Sequence, residues 1–214
     1  MLLTENESKS ILAEAAIAVP SGMMVRSADT VPAISAFPVA VKAQVASGGR
    51  GLAGGVVKAN SQDEVVAAVA RILRMEFDGA RPEAVLVEPW LALDRELYLS
   101  VAVDGSAGGY VVLYSPEGGV RVEQGAPLVR YAVGHPENFR AHKMRLLMRD
   151  AETDATTRER VISMAQALLR LAHQVTEDLR FDYTEEELDF WFEDAHTPGT
   201  LLVTLQDLAD DEEE

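Results

Sequence analysis

A lysine inside an apolar strand is the residue of this sequence best placed for chemistry. Residues 39–45 alternate apolar side chains, which puts Lys42 on the face opposite the valines. Residues 47–56 then hold five of the fifteen glycines of the chain. Glycine lets backbone N–H groups approach an anion closely, and a nearby cation supplies the compensating charge. The segment therefore predicts a phosphate-binding loop, with a glycine-rich hairpin beside a solvated lysine as the alternative.

The glycine pattern differs from two common nucleotide-binding motifs. It lacks the Gly-Lys-Ser/Thr ending of a Walker A loop. Gly49, Arg50 and Gly51 also lack the third glycine and the strand–loop–helix context of a dinucleotide fingerprint. The chain contains fifteen arginines and only four lysines, so a lysine in an apolar strand is less easily explained as ordinary surface.

Helix and strand signals alternate along the chain, which predicts an α+β fold. Apolar residues at helical spacing predict helices over 4–16, from Ser61 to about 75, and over 157–178. Runs rich in β-branched and aromatic residues predict strands over 39–45, 85–88, 96–104 and 110–114. A final hairpin is expected from 188–193 and 200–205, joined by a turn that contains Pro198 and Gly199.

Length and composition set limits on the class of protein. The 214 residues and 23.2 kDa fit one large domain or two small lobes. No apolar run approaches the ~18 residues of a membrane span, and the first ten residues lack the basic region of a signal peptide. We therefore expect a cytoplasmic protein that does not associate with a membrane. The absence of cysteine excludes disulfides, thiol nucleophiles and thiolate zinc sites.

The negative charge is concentrated at one end of the chain. The formal net charge is −16, and residues 177–214 contribute −14 of it with fifteen acids against one arginine. Because phosphate backbones are bound by basic surfaces, this balance argues against a nucleic-acid partner. Residues 207–214 are expected to form a disordered acidic tail.

Several segments together resemble the β subunit of succinyl-CoA synthetase. They follow the order of that family, and the most specific segment runs from Lys42 to Val56; the others are 3–9, 18–22, 38–41, 85–88, 96–100 and 115–120. The resemblance implies an ATP-grasp fold over residues 1–206, in the α+β class. A smaller lobe, about 20–95, would close over a nucleotide held against a larger lobe of 1–19 and 96–206.

The same resemblance implies that the nucleotide is ATP or ADP and that Lys42 contacts its phosphates. Gly49, Arg50 and Gly51 would lie in the loop that covers the phosphates. Leu52 stands where the family has lysine.

Three further positions of the nucleotide site are implied. Glu88 would begin the segment that hydrogen-bonds the adenine edge, and Leu91 would lie near the hinge. Glu96 would be a carboxylate of the nucleotide site. For Glu88 and Glu96, a solvated carboxylate at a strand end is the alternative.

The hairpin after the long helix departs from the family pattern. The family carries a Glu-Ile-Asn-Pro motif and an aspartate on the second strand, and its asparagine and aspartate bind Mg²⁺. The counterparts here are Glu187, which would take the catalytic position, with Asp189 and Gln206 at the metal positions. A neutral Gln206 is a poorer ligand for Mg²⁺ than an aspartate, and Asp207 lies one residue further on. An acidic hairpin exposed to solvent is the alternative.

Three functions follow from these features. The first is an ATP-dependent ligase component that passes a phosphoryl group to a partner protein resembling an α subunit, because the sequence stops before the family's second domain. The second is a nucleotide-binding sensor or regulatory subunit with an altered metal site. The third is an interaction protein that retains only the fold.

Overall fold

The computed structural model of the chain describes residues 3–46, 50–92, 94–118, 125–182 and 200–206. The chain divides into two compact units, Met1–Ala92 and Leu93–Glu214. Each unit contains a four-stranded antiparallel sheet and helices, so the α+β class is confirmed.

The first unit is built on strands β1 (Met23–Val25), β2 (Val39–Ala43), β3 (Val56–Ala59) and β4 (Val85–Pro89). Their order in the sheet is β1-β4-β2-β3. Helix α1 spans Glu5–Glu14, and α2 spans Gln62–Ile72. The sheet therefore has β2 and β4 at its centre, each paired on both edges.

One face of this sheet forms the core of the first unit. Successive strand residues point to opposite faces, so alternate residues of the central strands share a face. The apolar set packs with α2 in one cluster that includes Val39, Val41, Val85, Val87, Val65, Val69 and Ile72. Lys42 and Glu88 alternate with these valines along their strands and therefore belong to the opposite face.

Helix α1 begins with a capping box. The Thr4 hydroxyl accepts from the Glu7 amide, and the Glu7 carboxylate accepts from the Thr4 amide. The lobe assignment of residues 1–19 to the larger lobe differs from the observed division, because α1 contacts side chains of β2 and β4 and belongs to the first unit.

The second unit is built on strands β5 (Glu96–Asp104), β6 (Gly109–Ser115), β7 (Val129–Gly134) and β8 (Thr200–Gln206), in the order β7-β6-β5-β8. Helix α3 spans Ala141–Leu147, and α4 spans Ala155–Asp182. Helix α4 packs on the sheet through buried residues at helical spacing, which include Val161, Ala165 and Leu168.

The longer predicted elements agree with the structure, whereas β1, β3, β7 and α3 are not predicted from the sequence. The missed β1 and β3 have only three and four residues, too few to show an alternating pattern. Strand 200–205 of the predicted last hairpin is present as β8, while 188–193 and the tail 207–214 lie outside the described residues. In the described part of the chain, no helix is long and apolar enough to cross a membrane.

Candidate functional site

Lys42 lies buried on the polar face of the first sheet. Its side chain is 10% exposed, and its Nζ atom lies 3.0 Å from Oε1 of Glu5. A second ion pair joins the same Nζ atom to Oε1 of Glu88. The alternative of a solvated lysine is therefore wrong, because the ammonium group is held by two carboxylates.

Glu88 is the most buried acid of this face. Strand β4 carries it opposite Ala40 of β2, which places it beside Lys42 on one face of the sheet. Its side chain is 1% exposed, and its Oε2 atom pairs with Lys9 of α1. The alternative of a solvated carboxylate is thus wrong for Glu88. Space is tight here, since a Cβ atom added to Gly22 would lie 3.3 Å from the Glu88 Cβ atom.

Glu5 links three cations. Its Oε1 atom lies 2.9 Å from Lys9 and 3.0 Å from Lys42, and its Oε2 atom pairs with Arg50. We call Glu5, Lys9, Lys42, Arg50 and Glu88 the charge cluster. It contains three cations and two carboxylates, and therefore carries one excess positive charge when all five groups are ionised.

The charges of the cluster depend on one another. Burial raises the pKa of Glu5, but Lys42, Lys9 and Arg50 outweigh burial and lower that pKa to about 2. Burial lowers the pKa of Lys42, but Glu5 and Glu88 outweigh it and the net direction is upward. Both groups are therefore charged at neutral pH.

The turn after residue 49 positions Arg50. The Gly55 amide donates to the Arg50 carbonyl at 2.8 Å, and the Gly55 carbonyl accepts from the Ala43 amide at 2.7 Å. A Cβ atom at residue 55 would lie 2.7 Å from the Phe77 ring, so only glycine fits there. The turn is thereby attached to β2 one residue after Lys42, which brings Arg50 to Glu5. Gly51 lies exposed in the same turn, and Gly49 lies outside the described residues.

The remaining predicted site residues lie elsewhere in the described chain or outside the described residues. Leu91 is exposed in the segment after β4. Glu96 begins β5 in the second unit, where its carbonyl accepts from the Gly118 amide at 2.8 Å. Gln206 is its register partner at the end of β8. Glu187 and Asp189 lie outside the described residues. Within the described ranges, no group of three or more acidic or histidine side chains could hold a metal ion.

Two residues of the cluster, Glu5 and Lys9, were not predicted from the sequence. The neighbouring pair of Lys58 and Trp90 was not predicted either. The spacing of four residues puts Glu5 and Lys9 on one side of α1, a signal that marks a helix face but not its partner. Lys58 of β3 stands opposite Ala40 and so shares the face of Lys42, and its ammonium nitrogen lies 5.2 Å from the centre of the Trp90 ring.

The cluster has the chemistry of an anion site. Lysine and arginine side chains lie beside a glycine turn, and the cations outnumber the acids. Charge-assisted hydrogen bonds of this kind suit the oxygens of a phosphate group. The residues present therefore fit the polyphosphate of a nucleotide.

A family model described as an ATP-grasp domain matches residues 2–180. Among curated proteins, the β subunit of succinate–CoA ligase [ADP-forming] from Methanocaldococcus jannaschii is 29% identical, over 80% of this chain and 49% of that protein. The subunit of the same name from Halobacterium salinarum is 35% identical, over 80% of this chain and 47% of that protein. The chain thus spans about half the length of these relatives.

A solved structure shares the fold. It is a dinucleotide-forming acetyl-coenzyme A synthetase 1 of Ca. Korarchaeum cryptofilum, in complex with coenzyme A, Ca-AMPCP and HgCl⁺. The TM-score is 0.61 at 19% identity, and the match covers 82% of this chain and 80% of that one. The expected ATP-grasp fold and the resemblance to succinyl-CoA synthetase β subunits are both confirmed.

Proposed function

The chain belongs to the ATP-grasp domain family, and we propose that it binds ATP or ADP through the charge cluster of the first unit. We further propose that it contributes to a phosphoryl transfer of the acid–thiol ligase type, together with a partner subunit. The observation that supports the proposal best is the buried Lys42 ammonium group, held beside the glycine turn with Arg50 close by.

Lys42 and Arg50 are the proposed phosphate ligands. Both donate charge-assisted hydrogen bonds to the same carboxylate, Glu5, so their donors already converge on one anionic group. Pre-positioned cations stabilise the charge that spreads over phosphate oxygens during transfer. Gly49 and Gly51 would offer backbone amides in the covering loop, where a side chain would hinder approach.

The base side of the nucleotide is assigned to the segment from Glu88 to Leu91. The Glu88 carboxylate is already engaged by Lys9 and Lys42, so the adenine edge would be met by backbone groups after it. Leu91 is exposed and available to contact the base. Glu96 is proposed as a carboxylate of the nucleotide site.

Magnesium is assigned to the last hairpin. Asp189 and Gln206 would supply oxygen ligands, which Mg²⁺ prefers, and Glu187 would hold the catalytic position. When bound, the ion neutralises charge on the transferring phosphate oxygens. The neutral amide of Gln206 makes this donor set weaker than a pair that includes two carboxylates.

A partner subunit is part of the proposal because of what the relatives are called. The relatives named above are called subunits, and the chain spans about half of each. Transfer of a phosphoryl group to an acid, followed by attack of a thiol that releases phosphate, would involve groups supplied by such a partner, for example an α-type subunit.

One observation favours a second function, a nucleotide sensor or regulatory subunit without catalysis. Strand β8 ends at Gln206, the register partner of Glu96. The resemblance makes Gln206 the counterpart of the family's aspartate, so the proposed metal position would carry a neutral amide. A weakened metal site would leave nucleotide binding intact and remove transfer.

Calorimetric titration with ATP and ADP tests the binding proposal. Lys42→Ala should weaken nucleotide binding by at least ~1.5 kcal/mol, or about tenfold, because it removes a charge-assisted contact. Lys143→Ala is the matched control, since Lys143 is an exposed lysine of α3 in the second unit. Equal affinities of the wild type and Lys42→Ala would contradict the role of Lys42.

The same titration, repeated with and without Mg²⁺, separates the two functions. Binding that depends on Mg²⁺ and is weakened by Asp189→Ala supports the ligase component. Binding that is indifferent to Mg²⁺ supports the sensor. If neither nucleotide binds the wild type, the chain retains the fold as an interaction protein and the proposed function is wrong.

A further inference from the structure

We infer that the Glu5 carboxylate occupies the position of a nucleotide phosphate, and that a polyphosphate binds by displacing Glu5 from Lys42 and Arg50. This inference rests on the proposed function and adds a competing group inside the binding site. Glu5 would thus lower the affinity for nucleotide by competing for these two cations, although it does not itself bind the nucleotide.

The first support is the way Glu5 uses both oxygens. Its Oε1 atom accepts from Lys42 at 3.0 Å, and its Oε2 atom pairs with the Arg50 guanidinium group. A phosphate group also presents two anionic oxygens side by side, and the two would compete for the same donors. An anion that met these cations with Glu5 in place would face a like charge at close range.

The second support is that the Glu5 side chain can move out of the cluster more easily than the Glu88 side chain can. The Glu88 side chain is 1% exposed on a strand with hydrogen-bonded neighbours on both sides. The Glu5 side chain is 18% exposed and lies in the first turn of α1. Rotation about its side-chain bonds can carry the Glu5 carboxylate to water without unfolding a strand.

The third support is that the cluster survives the departure of Glu5. Glu88 pairs with Lys9 through one oxygen and with Lys42 through the other, so both lysines keep a partner. Other contacts keep α1 attached, because the Asn6 amide donates to Gln44 at 2.9 Å and Leu12 is buried. Three cations against one carboxylate would then face the anion. Low pH does not free the site under ordinary conditions, since the pKa of Glu5 is about 2.

Glu5→Gln tests the inference by removing the charge and keeping the shape and the hydrogen-bonding oxygen. The probes are ADP and inorganic pyrophosphate, titrated by calorimetry at neutral pH without Mg²⁺. We expect Glu5→Gln to bind both probes about tenfold more tightly than the wild type, a gain of ~1.4 kcal/mol. Glu14→Gln is the matched control, because Glu14 is an exposed glutamate of the same helix and its loss changes the net charge equally. Its affinities should equal those of the wild type.

The outcomes separate this inference from the proposed function. If the wild type binds ADP and Glu5→Gln binds it equally or more weakly, Glu5 only positions the cations and the inference is wrong. If the wild type binds neither probe, the proposed function fails first. Should Glu5→Gln not fold, Glu5→Asp replaces it: the shorter carboxylate reaches Lys42 and Arg50 less well, so tighter binding is again expected, and unchanged or weaker binding overturns the inference.

Discussion

The two units each bury a glutamate, Glu88 in the first and Glu152 in the second, with side chains 1% and 2% exposed. Their partners differ in kind. Glu88 pairs with two lysines, and these share a second carboxylate, Glu5. The charges around Glu88 thus belong to a larger cluster with an excess cation and a partly exposed acid.

Glu152 has partners that leave no excess charge. Its Oε2 atom accepts from the Tyr114 hydroxyl and from Arg95, both at 2.8 Å, and its Oε1 atom accepts from the Asp154 amide at 3.1 Å. Burial, together with Glu152, raises the pKa of Tyr114, which keeps this hydroxyl a donor. One carboxylate and one directly paired cation are satisfied by each other and by neutral donors.

The difference shows that burial of a charge does not by itself indicate a ligand site. A buried polar group whose partners are complete rigidifies the fold. A cluster with an excess cation, and with a partly exposed carboxylate that can rotate away, can bind an anion through its positive charge. We therefore propose that Glu152 serves stability and that the charge cluster serves binding, and each proposal can be tested by substitution.

The largest effect is expected for Glu152→Ala. It leaves the buried Tyr114 hydroxyl without its acceptor and Arg95 without its counter-ion, so the free energy of unfolding should fall by about 3 kcal/mol. Urea unfolding measures this change. The affinity of the folded protein for ADP should stay the same, because the charge cluster is untouched.

Glu159→Ala serves as the control for that substitution. Glu159 is an exposed acid of α4 whose carboxylate accepts from Arg145, and its removal should change the free energy of unfolding far less. If Glu152→Ala were as stable as the wild type but bound ADP more weakly, Glu152 would belong to a ligand site. The proposed difference between Glu152 and the charge cluster would then be wrong.

The sequence was sufficient to predict the parts of the site that follow from local pattern. Alternation in β2 placed Lys42 on the face opposite the core, and the glycine content of 47–56 indicated an anion-binding turn beside it. The same rule applied to β4 puts Glu88 on that face. The two strand faces follow from periodicity and the turn from glycine content, and both are local properties of the sequence.

The rest of the site depends on contacts between distant segments. Glu5 and Lys42 are 37 residues apart, and Lys9 and Glu88 are 79 apart, so no local pattern reveals that they meet. The assignment of α1 to the larger lobe has the same origin, because the polar contacts of α1 with β2 and β4 are visible only once the sheet has formed. Burial of Glu88 likewise requires the sheet order that places β4 between β1 and β2.

An intermediate effect is expected from acid titration of the charge cluster. The pKa of Glu5 falls from 4.5 to about 2 on folding, so its charge contributes stability that is present above pH 4.5 and is lost as the pH falls towards 2. At full strength the shift corresponds to ~3 kcal/mol, and the partial exposure of Glu5 reduces it, so at pH 6 Glu5→Gln should be less stable than the wild type by about 2 kcal/mol. The difference should shrink as the pH falls towards 2. Urea unfolding at several pH values measures it.

Glu14→Gln again provides the reference, because Glu14 is an exposed glutamate of the same helix and is not a member of the charge cluster. A difference between Glu5→Gln and the wild type that stayed constant from pH 6 to pH 2 would contradict the prediction, because the stability would then not follow the charge of Glu5. The charge cluster would then resemble the Glu152 site more closely than proposed.

The smallest effect is expected for Tyr114→Phe. This substitution separates the contribution of the Tyr114 hydroxyl from that of Arg95 at the Glu152 carboxylate. The ring stays in the core and only the hydroxyl that donates to Glu152 is lost, while Arg95 and the Asp154 amide remain as partners of the carboxylate. The free energy of unfolding should fall by about 1 kcal/mol, the usual net value of one hydrogen bond. A loss as large as that of Glu152→Ala would mean that the hydroxyl, and not the ion pair with Arg95, is the main partner of the buried charge.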